Sequence, residues 1–432
     1  MSTYKVTGGK ELKGTIETTS GKNAPIAILC ASLLIKGTVL LKDVARVEEI
    51  ERMLELLSSV GVEYKWINQS TLFVDASDTL TLDKINKKAC KKMRISLLLF
   101  GALAARVKDF KVYRSGGCNL GNRSVMPHVL GLQKLGVTFE SHRGYYQVKT
   151  KKLAAADIVM YESGDTATEN IIMGAVLAPG VTTIRFASAN YMVQDLCYFL
   201  QKAGAKIKGI GTTTLTITGV SALKSVPSYA LAPDPVDSMA WISLAIATKS
   251  KLTVKNCPLD FLELELLKLE VMGQKYKLKN KRFSKNKKFR IADIVITPSP
   301  LVALPDKLYG RPFPGLNIDN VPLFLPILMQ AKGQSLIHDW CYENRAIYYV
   351  EMQKLGAKVM LLDPHRVLVQ GQKKLRAAEI TCPPAIRPGM AILIAMIATS
   401  GTSILKECYP IDRAYESLVE RLQSVGVDIE KV

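Results

Sequence analysis

MQKLGAKVML, residues 352–361, combines the end of an amphipathic helix, a glycine and a short alternating strand. Five further segments of the chain have the same pattern, and their glycines are spaced by roughly 70 to 80 residues, which suits one supersecondary unit per copy. The six glycines are Gly61, Gly136, Gly204, Gly273, Gly356 and Gly426. Each stands where a helix C-terminus favours a left-handed residue, so the sequence predicts a fold of six related α/β units.

An apolar helix followed by a β-branched strand precedes each copy of this pattern. The six segments are 24–44, 94–113, 170–187, 239–257, 323–340 and 390–407. Their helices are apolar nearly all round, which is typical of helices in the interior of a fold. We therefore predict an inverted α/β arrangement, with helices inside and sheets outside them.

The six units are expected to close into two domains of three units each, because an open array needs polar end units and neither end of the chain has one. YALAPDP, residues 229–235, interrupts the helix and strand patterns with two prolines and marks the crossover. The strand Tyr4–Val6 has no unit of its own, and we expect it to complete the carboxy-terminal domain. The predicted domains are residues 21–231 and residues 1–20 with 232–432.

The composition indicates a folded protein, and we expect that it has no export signal. Apolar residues make up 48% and charged residues 22% of the 432 residues, and no apolar run reaches membrane-spanning length. Eight cysteines without a CxxC pair indicate reduced thiols, and four histidines without metal-ligand spacing argue against a protein-bound metal. We expect a cytoplasmic protein that needs no metal or other cofactor. Neither a membrane nor nucleic acid is expected as a partner, and the oligomeric state is left open.

The formal net charge of +20 attracts anions, whether nucleic acid, an acidic membrane surface or small phosphorylated ligands. The densest basic run is residues 275–290, where lysines and arginines alternate with Tyr276, Leu278 and Phe283. This alternation predicts an exposed hairpin, with a polyanion site as the alternative. Composition alone does not choose among the anions.

Two segments place polar groups suited to chemistry between the repeated patterns. Lys22 and Asn23 stand at the start of the first apolar helix, where backbone amides and a cation suit a phosphate or carboxylate; an ordinary cap with a surface lysine is the alternative. Cys118 lies in a glycine-rich loop between Arg114 and Arg123, whose charges favour the thiolate. It is a candidate reactive thiol, although a tight surface loop with an incidental cysteine explains the same pattern.

These motifs, with others at the connections of later units, resemble the UDP-N-acetylglucosamine enolpyruvyl transferase family over essentially the whole chain. The matching motifs are Lys22-Asn23, GGCxxGxR at 116–123, PGxxxD at 314–319, ENR at 343–345 and IDRxYE at 411–416. GGCxxGxR is the most specific of them, because the related shikimate-pathway enolpyruvyl transferases lack that cysteine.

The resemblance implies a two-domain inside-out α/β barrel of six βαβαββ repeats, three per domain, that closes on phosphoenolpyruvate and UDP-N-acetylglucosamine. It implies transfer of the enolpyruvyl group to the sugar 3-hydroxyl with release of phosphate, the first committed step of peptidoglycan precursor synthesis. Two proton-transfer groups are then needed. In such families Cys118 is associated with acid catalysis or covalent capture of phosphoenolpyruvate, and Asp319 with accepting the hydroxyl proton.

The resemblance also assigns ligand contacts by motif position. The phosphate of phosphoenolpyruvate is expected to be bound by Lys22, Arg123 and Arg413, and its carboxylate by Arg345 and Arg387. Asn23 is expected to contact both phosphoenolpyruvate and the UDP-sugar. Lys22 is also a candidate catalytic residue. The expected contacts of the UDP-sugar are Asn23, Arg94, Arg123, Ser124, Val125, Ser163, Gly164, Asp165, Asp319 and Cys341.

Two departures from the family pattern leave the acceptor open. Met126 stands where the family usually has an aspartate that reads the uracil edge, and methionine cannot accept those hydrogen bonds. The family's Asp-x-Arg appears here as Ala385-Ile386-Arg387. The alternatives are a divergent enolpyruvyl transferase for another nucleotide or sugar, an inactive paralogue, or, from another class, an RNA-binding protein resembling RNA 3′-phosphate cyclase.

Overall fold

The computed structural model describes residues 2–77, 79–114 and 124–432, in which the chain divides into two compact units. We call residues 2–19 with 233–432 the terminal unit, and residues 20–114 with 124–232 the middle unit.

The strands are β1 (Tyr4–Gly8), β2 (Lys13–Glu17), β3 (Thr38–Lys42), β4 (Glu63–Trp66), β5 (Leu72–Asp75), β6 (Asp109–Tyr113), β7 (Val137–Ser141), β8 (Tyr145–Thr150), β9 (Asp157–Val159), β10 (Val181–Arg185), β11 (Lys206–Lys208), β12 (Thr214–Thr218), β13 (Val226–Ala230), β14 (Lys251–Pro258), β15 (Lys275–Phe283), β16 (Arg290–Thr297), β17 (Leu308–Tyr309), β18 (Gln334–His338), β19 (Lys358–Asp363), β20 (Arg366–Gln370), β21 (Glu379–Thr381), β22 (Gly401–Lys406) and β23 (Asp428–Lys431).

The helices alternate with these strands along the chain. They are α1 (Asn23–Ser32), α2 (Glu48–Ser58), α3 (Lys87–Lys92), α4 (Leu99–Ala104), α5 (Met126–Lys134), α6 (Asp165–Ala175), α7 (Tyr191–Lys202), α8 (Pro235–Ala247), α9 (Glu263–Val271), α10 (Val321–Leu328), α11 (Ile386–Ile397), α12 (Tyr409–Asp412) and α13 (Leu418–Ser424). Short 3-10 helices cover Leu82–Lys84, Arg94–Leu98, Leu259–Phe261, Ile318–Asn320 and Ala346–Leu355.

The described strands form six sheets, three in each unit, and five of the six have four strands. In the terminal unit their orders are β21-β22-β1-β23, β15-β16-β14-β2 and β17-β18-β20-β19; in the middle unit they are β11-β12-β10-β9, β13-β3-β5-β4 and β6-β8-β7. Each four-stranded sheet has one parallel pair at an edge and antiparallel pairs elsewhere. This recurrence confirms the repeated α/β unit.

The apolar helices lie in the interior of their units, as their composition predicts. All thirteen residues of α8 and all eight of α10 are buried. In the terminal unit α8, α10 and α11 pack against one another, and in the middle unit α1, α4 and α6 do so. The sheets cover these helices with one face and expose the other, which confirms the inverted α/β arrangement.

The six repeat glycines all have positive φ, between 83° and 104°. Side chains other than glycine rarely adopt this conformation, which lets the chain leave the helix and enter the next strand. The expectation for the amino-terminal strand is also confirmed, because β1 pairs with β22 on one side and β23 on the other. The basic run forms the expected hairpin of β15 and β16, with β15 at the edge of its sheet.

No helix among the described residues is both long enough and apolar enough to span a bilayer.

Gly204→Ala tests the repeat glycines, because φ is 104° there and no neighbouring atom lies within 4 Å of the added Cβ. The variant is expected to lose about 1 to 2 kcal/mol of unfolding free energy from backbone strain alone. Urea unfolding of the full-length protein, followed by circular dichroism, measures this loss. Gly144→Ala is the control, since Gly144 also has open space at Cβ but lies outside the left-handed region. Equal stability of the two variants would contradict the role assigned to the glycine.

Candidate active site

A buried arginine lies at the centre of the candidate site in the terminal unit. Arg345 precedes the 3-10 helix Ala346–Leu355, and its side chain is 1% exposed. Its Nε and Nη2 donate to Oδ2 and Oδ1 of Asp339, each at 2.7 Å, and Nη2 also donates to the carbonyl of Ile318 at 2.6 Å. Burial alone disfavours the charged guanidinium, but Asp339 raises the pKa of Arg345 above its usual value. The pair is therefore a fixed ion pair in the core.

Asp319 lies between this arginine and a second one. Its Oδ1 is 3.3 Å from Nη1 of Arg345, and its Oδ2 is 3.7 Å from Nε of Arg387. The side chain of Asp319 is 30% exposed, whereas that of Arg387 is 9% exposed. The two cations fix the direction of the carboxylate from its buried side and leave part of it accessible to a ligand.

Arg387 is held in turn by Tyr415. Nη1 of Arg387 donates to the Tyr415 hydroxyl at 2.8 Å, and the guanidinium lies 5.4 Å from the ring centroid. Burial by itself disfavours the charged form, but Tyr415 and Asp319 raise the pKa of Arg387 above its usual value. Burial raises the pKa of Tyr415 to about 12, so its hydroxyl keeps its proton at neutral pH.

A buried glutamate supports the loop that carries Asp319. Oε1 of Glu265, on α9, accepts hydrogen bonds from the backbone N–H of Asn317 at 3.0 Å and from Nδ2 of Asn320 at 2.8 Å. Oδ1 of Asn317 then accepts from the backbone N–H of Asp319 at 2.9 Å. Burial raises the pKa of Glu265. The loop is thus fixed at the residues on both sides of Asp319.

Arg413 and Cys341 both belong to the terminal unit, and both are partly buried. Arg413 follows α12, where Asp412 accepts hydrogen bonds from the hydroxyls of Ser2 and Tyr4 and from Nζ of Lys431 at 2.9 Å. These bonds tie the segment before Arg413 to β1 and β23.

In the middle unit, Lys22 and Asn23 lie at the start of α1. Nζ of Lys22 is 2.8 Å from Oε2 of Glu49 and donates to Oδ1 of Asn23 at 3.1 Å. The side chains of Lys22 and Glu49 are only 15% and 8% exposed. A cation held in this way beside a helix N-terminus suits an anionic ligand group.

Arg94 lies beside Ser124 and the start of α5. Its Nη2 donates to the carbonyl of Ser124 at 3.1 Å, and Val125 follows as the residue before the helix. Burial, with a contribution from Arg94, lowers the pKa of His128 to about 3. His128 is therefore neutral, and its Nδ1 accepts from Nδ2 of Asn170 at 2.7 Å.

Ser163, Gly164 and Asp165 form the entry to α6. Asp165 accepts hydrogen bonds from the hydroxyl of Ser188 at 2.5 Å and from Nδ2 of Asn190 at 3.1 Å. Cys118 and Arg123 lie outside the described residues. Among the predicted residues that the structure describes, contacts join Asp319 with Arg345 and Arg387, Lys22 with Asn23, and Arg94 with Ser124.

A family model and individual known proteins are similar to this chain over nearly its whole length. A family model described as EPSP synthase (3-phosphoshikimate 1-carboxyvinyltransferase) matches residues 6–422. A UDP-N-acetylglucosamine 1-carboxyvinyltransferase from Bradyrhizobium diazoefficiens is 33% identical over 99% of this chain and 98% of its own length, and a second from Caldanaerobacter subterraneus is 32% identical over 100% of both chains. This chain belongs to the enolpyruvyl transferase family.

Solved structures show the same fold. The enolpyruvyl transferase NikO from Streptomyces tendae has a TM-score of 0.86 at 20% identity, over 100% of this chain and 99% of that chain. EPSP synthase from Acinetobacter baumannii has a TM-score of 0.75 at 14% identity over 100% of both chains. The predicted enolpyruvyl transferase fold is confirmed.

Sequence reasoning missed the partners that hold the candidate residues of this enolpyruvyl transferase. Asp339, Glu49 and Glu265 are all buried acids, and each contacts a predicted site residue or its loop. The available signal was weak: Asp339 directly follows β18 and precedes Arg345 by only six residues. Among the described residues, no cluster of three or more His, Cys, Asp or Glu side chains has the geometry of a metal site.

Glu265→Ala tests the support of the Asp319 loop. The change leaves the N–H of Asn317 and the amide of Asn320 without their acceptor, so we expect a loss of about 1 to 3 kcal/mol of unfolding free energy. Thermal unfolding of the purified variant measures it. Glu263→Ala, on the same helix, is the control: its side chain is 65% exposed and pairs with Arg290, so the change is expected to cost under about 0.5 kcal/mol. Comparable losses in both variants would contradict the account.

Proposed function

We propose that this protein is a UDP-N-acetylglucosamine 1-carboxyvinyltransferase. It transfers the enolpyruvyl group of phosphoenolpyruvate to the 3-hydroxyl of UDP-N-acetylglucosamine and releases inorganic phosphate. The observation that carries the proposal is Asp319, which lies in the PGxxxD motif and contacts both Arg345 and Arg387. The names of full-length relatives at 33% and 32% identity support the substrate assignment.

The reaction proceeds by addition and elimination. The sugar hydroxyl oxygen bonds to C2 of phosphoenolpyruvate while a proton is added to C3, which gives a tetrahedral adduct. Loss of a C3 proton and of phosphate from C2 then gives the enolpyruvyl ether. Asp319 is the proposed base for the hydroxyl proton, and Cys118 is proposed to supply the C3 proton or to capture phosphoenolpyruvate covalently.

Cations stabilise the charges that the reaction moves. Lys22, Arg123 and Arg413 are proposed to bind the phosphate, which becomes more negative as it leaves. Arg345 and Arg387 are proposed to bind the carboxylate. Four of the five N–H donors of Arg345 already bond to described residues, so Arg387 has more donors left for a ligand.

The UDP-sugar is proposed to contact the residues grouped in the middle unit together with Asp319 and Cys341. The middle-unit residues are Asn23, Arg94, Ser124, Val125, Ser163, Gly164 and Asp165; Arg123, outside the described residues, is proposed as a further contact. We further propose that the protein acts in the cytoplasm and, through peptidoglycan precursor synthesis, in cell-wall biogenesis, cell shape and cell division.

Phosphate release from phosphoenolpyruvate in the presence of a panel of UDP-sugars tests the proposal. Release is expected to require UDP-N-acetylglucosamine, and Asp319→Asn is expected to lower it by about 100- to 10,000-fold, since the amide cannot take the hydroxyl proton. Asp306→Asn is the matched control, because Asp306 is exposed and precedes the motif. Release with a different UDP-sugar alone would indicate the divergent transferase, and no release with any acceptor would indicate the inactive paralogue.

Cys118 is expected to be the thiol alkylated by fosfomycin, an epoxide phosphonate that resembles phosphoenolpyruvate. Six described cysteines are buried, and burial raises the pKa of Cys90 to about 11 and of Cys257 and Cys408 to about 12. With UDP-N-acetylglucosamine present, peptide mapping should find one adduct at Cys118, and phosphoenolpyruvate should protect against it.

Cys90→Ser is the control for this prediction, because Cys90 is buried and belongs to none of the proposed ligand contacts. This variant should keep the adduct, whereas Cys118→Ser should lose it. An unmodified Cys118 in folded protein that binds UDP-sugar would rule out its role as the acid.

Met126→Asp tests whether uracil recognition is weakened in this chain. Met126 begins α5 and is 45% exposed, so the fold should tolerate the change. Restoring an acceptor for the uracil edge is expected to tighten UDP-sugar binding by about 1 to 3 kcal/mol in calorimetry. Leu130→Asp, one turn further along the helix and 38% exposed, adds the same charge and should not tighten binding. Weaker binding by Met126→Asp would mean that the pocket suits another ligand.

A further inference from the structure

The sheet of β15, β16, β14 and β2 exposes a face that is rich in lysine. In a strand, alternate residues point to the same side of the sheet. Tyr276 and Leu278 of β15 pack against the core, so Lys275, Lys277 and Lys279 point outward. This edge strand thus presents three exposed lysines in a row.

The strand register extends this face across the sheet. Leu252 and Val254 of β14 are buried in the core, which leaves Lys251 and Lys255 on the outer face. Lys251 lies opposite Lys13 of β2 in the parallel pair, and Lys13 is also exposed. With alternate residues about 7 Å apart and strands about 4.8 Å apart, six lysines share one outer face only about 14 Å across.

Few acids offset this charge. The acids on the face are Asp293 and Glu17; Asp293 pairs with Arg282 at 3.1 Å, and Glu17 accepts a hydrogen bond from the side chain of Asn256. Within the described part of the chain, no ion pair is found for any of the six lysines. The face therefore has a strong positive potential.

We propose that this lysine face docks the protein on an anionic lipid bilayer. On an open sheet face the lysine ammonium groups lie apart from one another in one plane. This arrangement matches the charge of lipid headgroups, which is spread over a surface, and not the compact charge of a small phosphorylated ligand.

Nucleic acid fits the same face less well. Single-stranded nucleic acids are bound on stacking aromatic side chains, whereas the residues between the lysines are Thr15, Thr253, Val295 and Thr297. The arginines of the hairpin are also engaged, Arg282 by Asp293 and Arg290 by Asp260 and Glu263. Lysines act as point charges and suit diffuse attraction to a surface.

Vesicle sedimentation tests the proposal. The full chain should bind phosphatidylcholine vesicles that contain phosphatidylglycerol, but not vesicles of phosphatidylcholine alone, and binding should weaken as salt is raised. The triple variant Lys275→Gln, Lys277→Gln, Lys279→Gln should bind about 100-fold more weakly, since each basic residue near an anionic surface contributes roughly a factor of five.

The control variant Lys202→Gln, Lys206→Gln, Lys208→Gln removes the same charge from exposed lysines of the middle unit and should bind like the unmodified protein. Circular dichroism checks that both variants fold. Equal weakening in both variants would show that net charge alone is responsible, and binding to both vesicle types would exclude a charge-driven site; either result overturns the proposal. Submicromolar binding to random single-stranded RNA at physiological salt, lost in the first variant, would replace the bilayer with nucleic acid.

Discussion

The buried ion pair between Asp339 and Arg345 is the interaction on which the candidate site of the terminal unit depends. A guanidinium that is 1% exposed is tolerated in the core only with a partner, and removing one member of such a pair typically costs about 3 to 5 kcal/mol. Because Asp339 accepts hydrogen bonds from Nε and Nη2 of Arg345, the remaining nitrogen, Nη1, is directed to Asp319. The pair therefore links the stability of the unit to the geometry of its proposed base.

The repeat, the interior helices and the hairpin could be predicted from the sequence because each depends on local chemistry. A glycine with positive φ after a helix, such as Gly356, leaves a signature in adjacent residues. The partners of the site residues leave at most a weak signature in the sequence, since contacts such as Lys22 with Glu49 join residues 27 positions apart. Asp339 illustrates the limit: its role depends on burial beside Arg345, which no local pattern encodes.

The two departures from the family pattern, Ala385 and Met126, are each confined to the start of one helix. Ala385 is buried directly before α11, where it offers no side-chain cap to the helix. Without the family's aspartate at that position, Arg387 relies on Asp319 for an opposite charge and on the Tyr415 hydroxyl as a hydrogen-bond acceptor. Met126, in contrast, is exposed at the start of α5. The two substitutions therefore affect different parts of the proposed reaction: Ala385 the charge balance near the base, and Met126 the recognition of the nucleotide.

The steady-state kinetics of Asp339→Asn test the central claim most directly, because the amide keeps the size of the side chain and removes the charge that holds Arg345. If Arg345 and Asp339 position the base, kcat for phosphate release should fall by about 10- to 100-fold, because a misplacement of about 1 Å can cost about 100-fold, while KM for the UDP-sugar changes little. A folded variant with unchanged kcat would show that Asp319 does not depend on the pair, and would contradict the account.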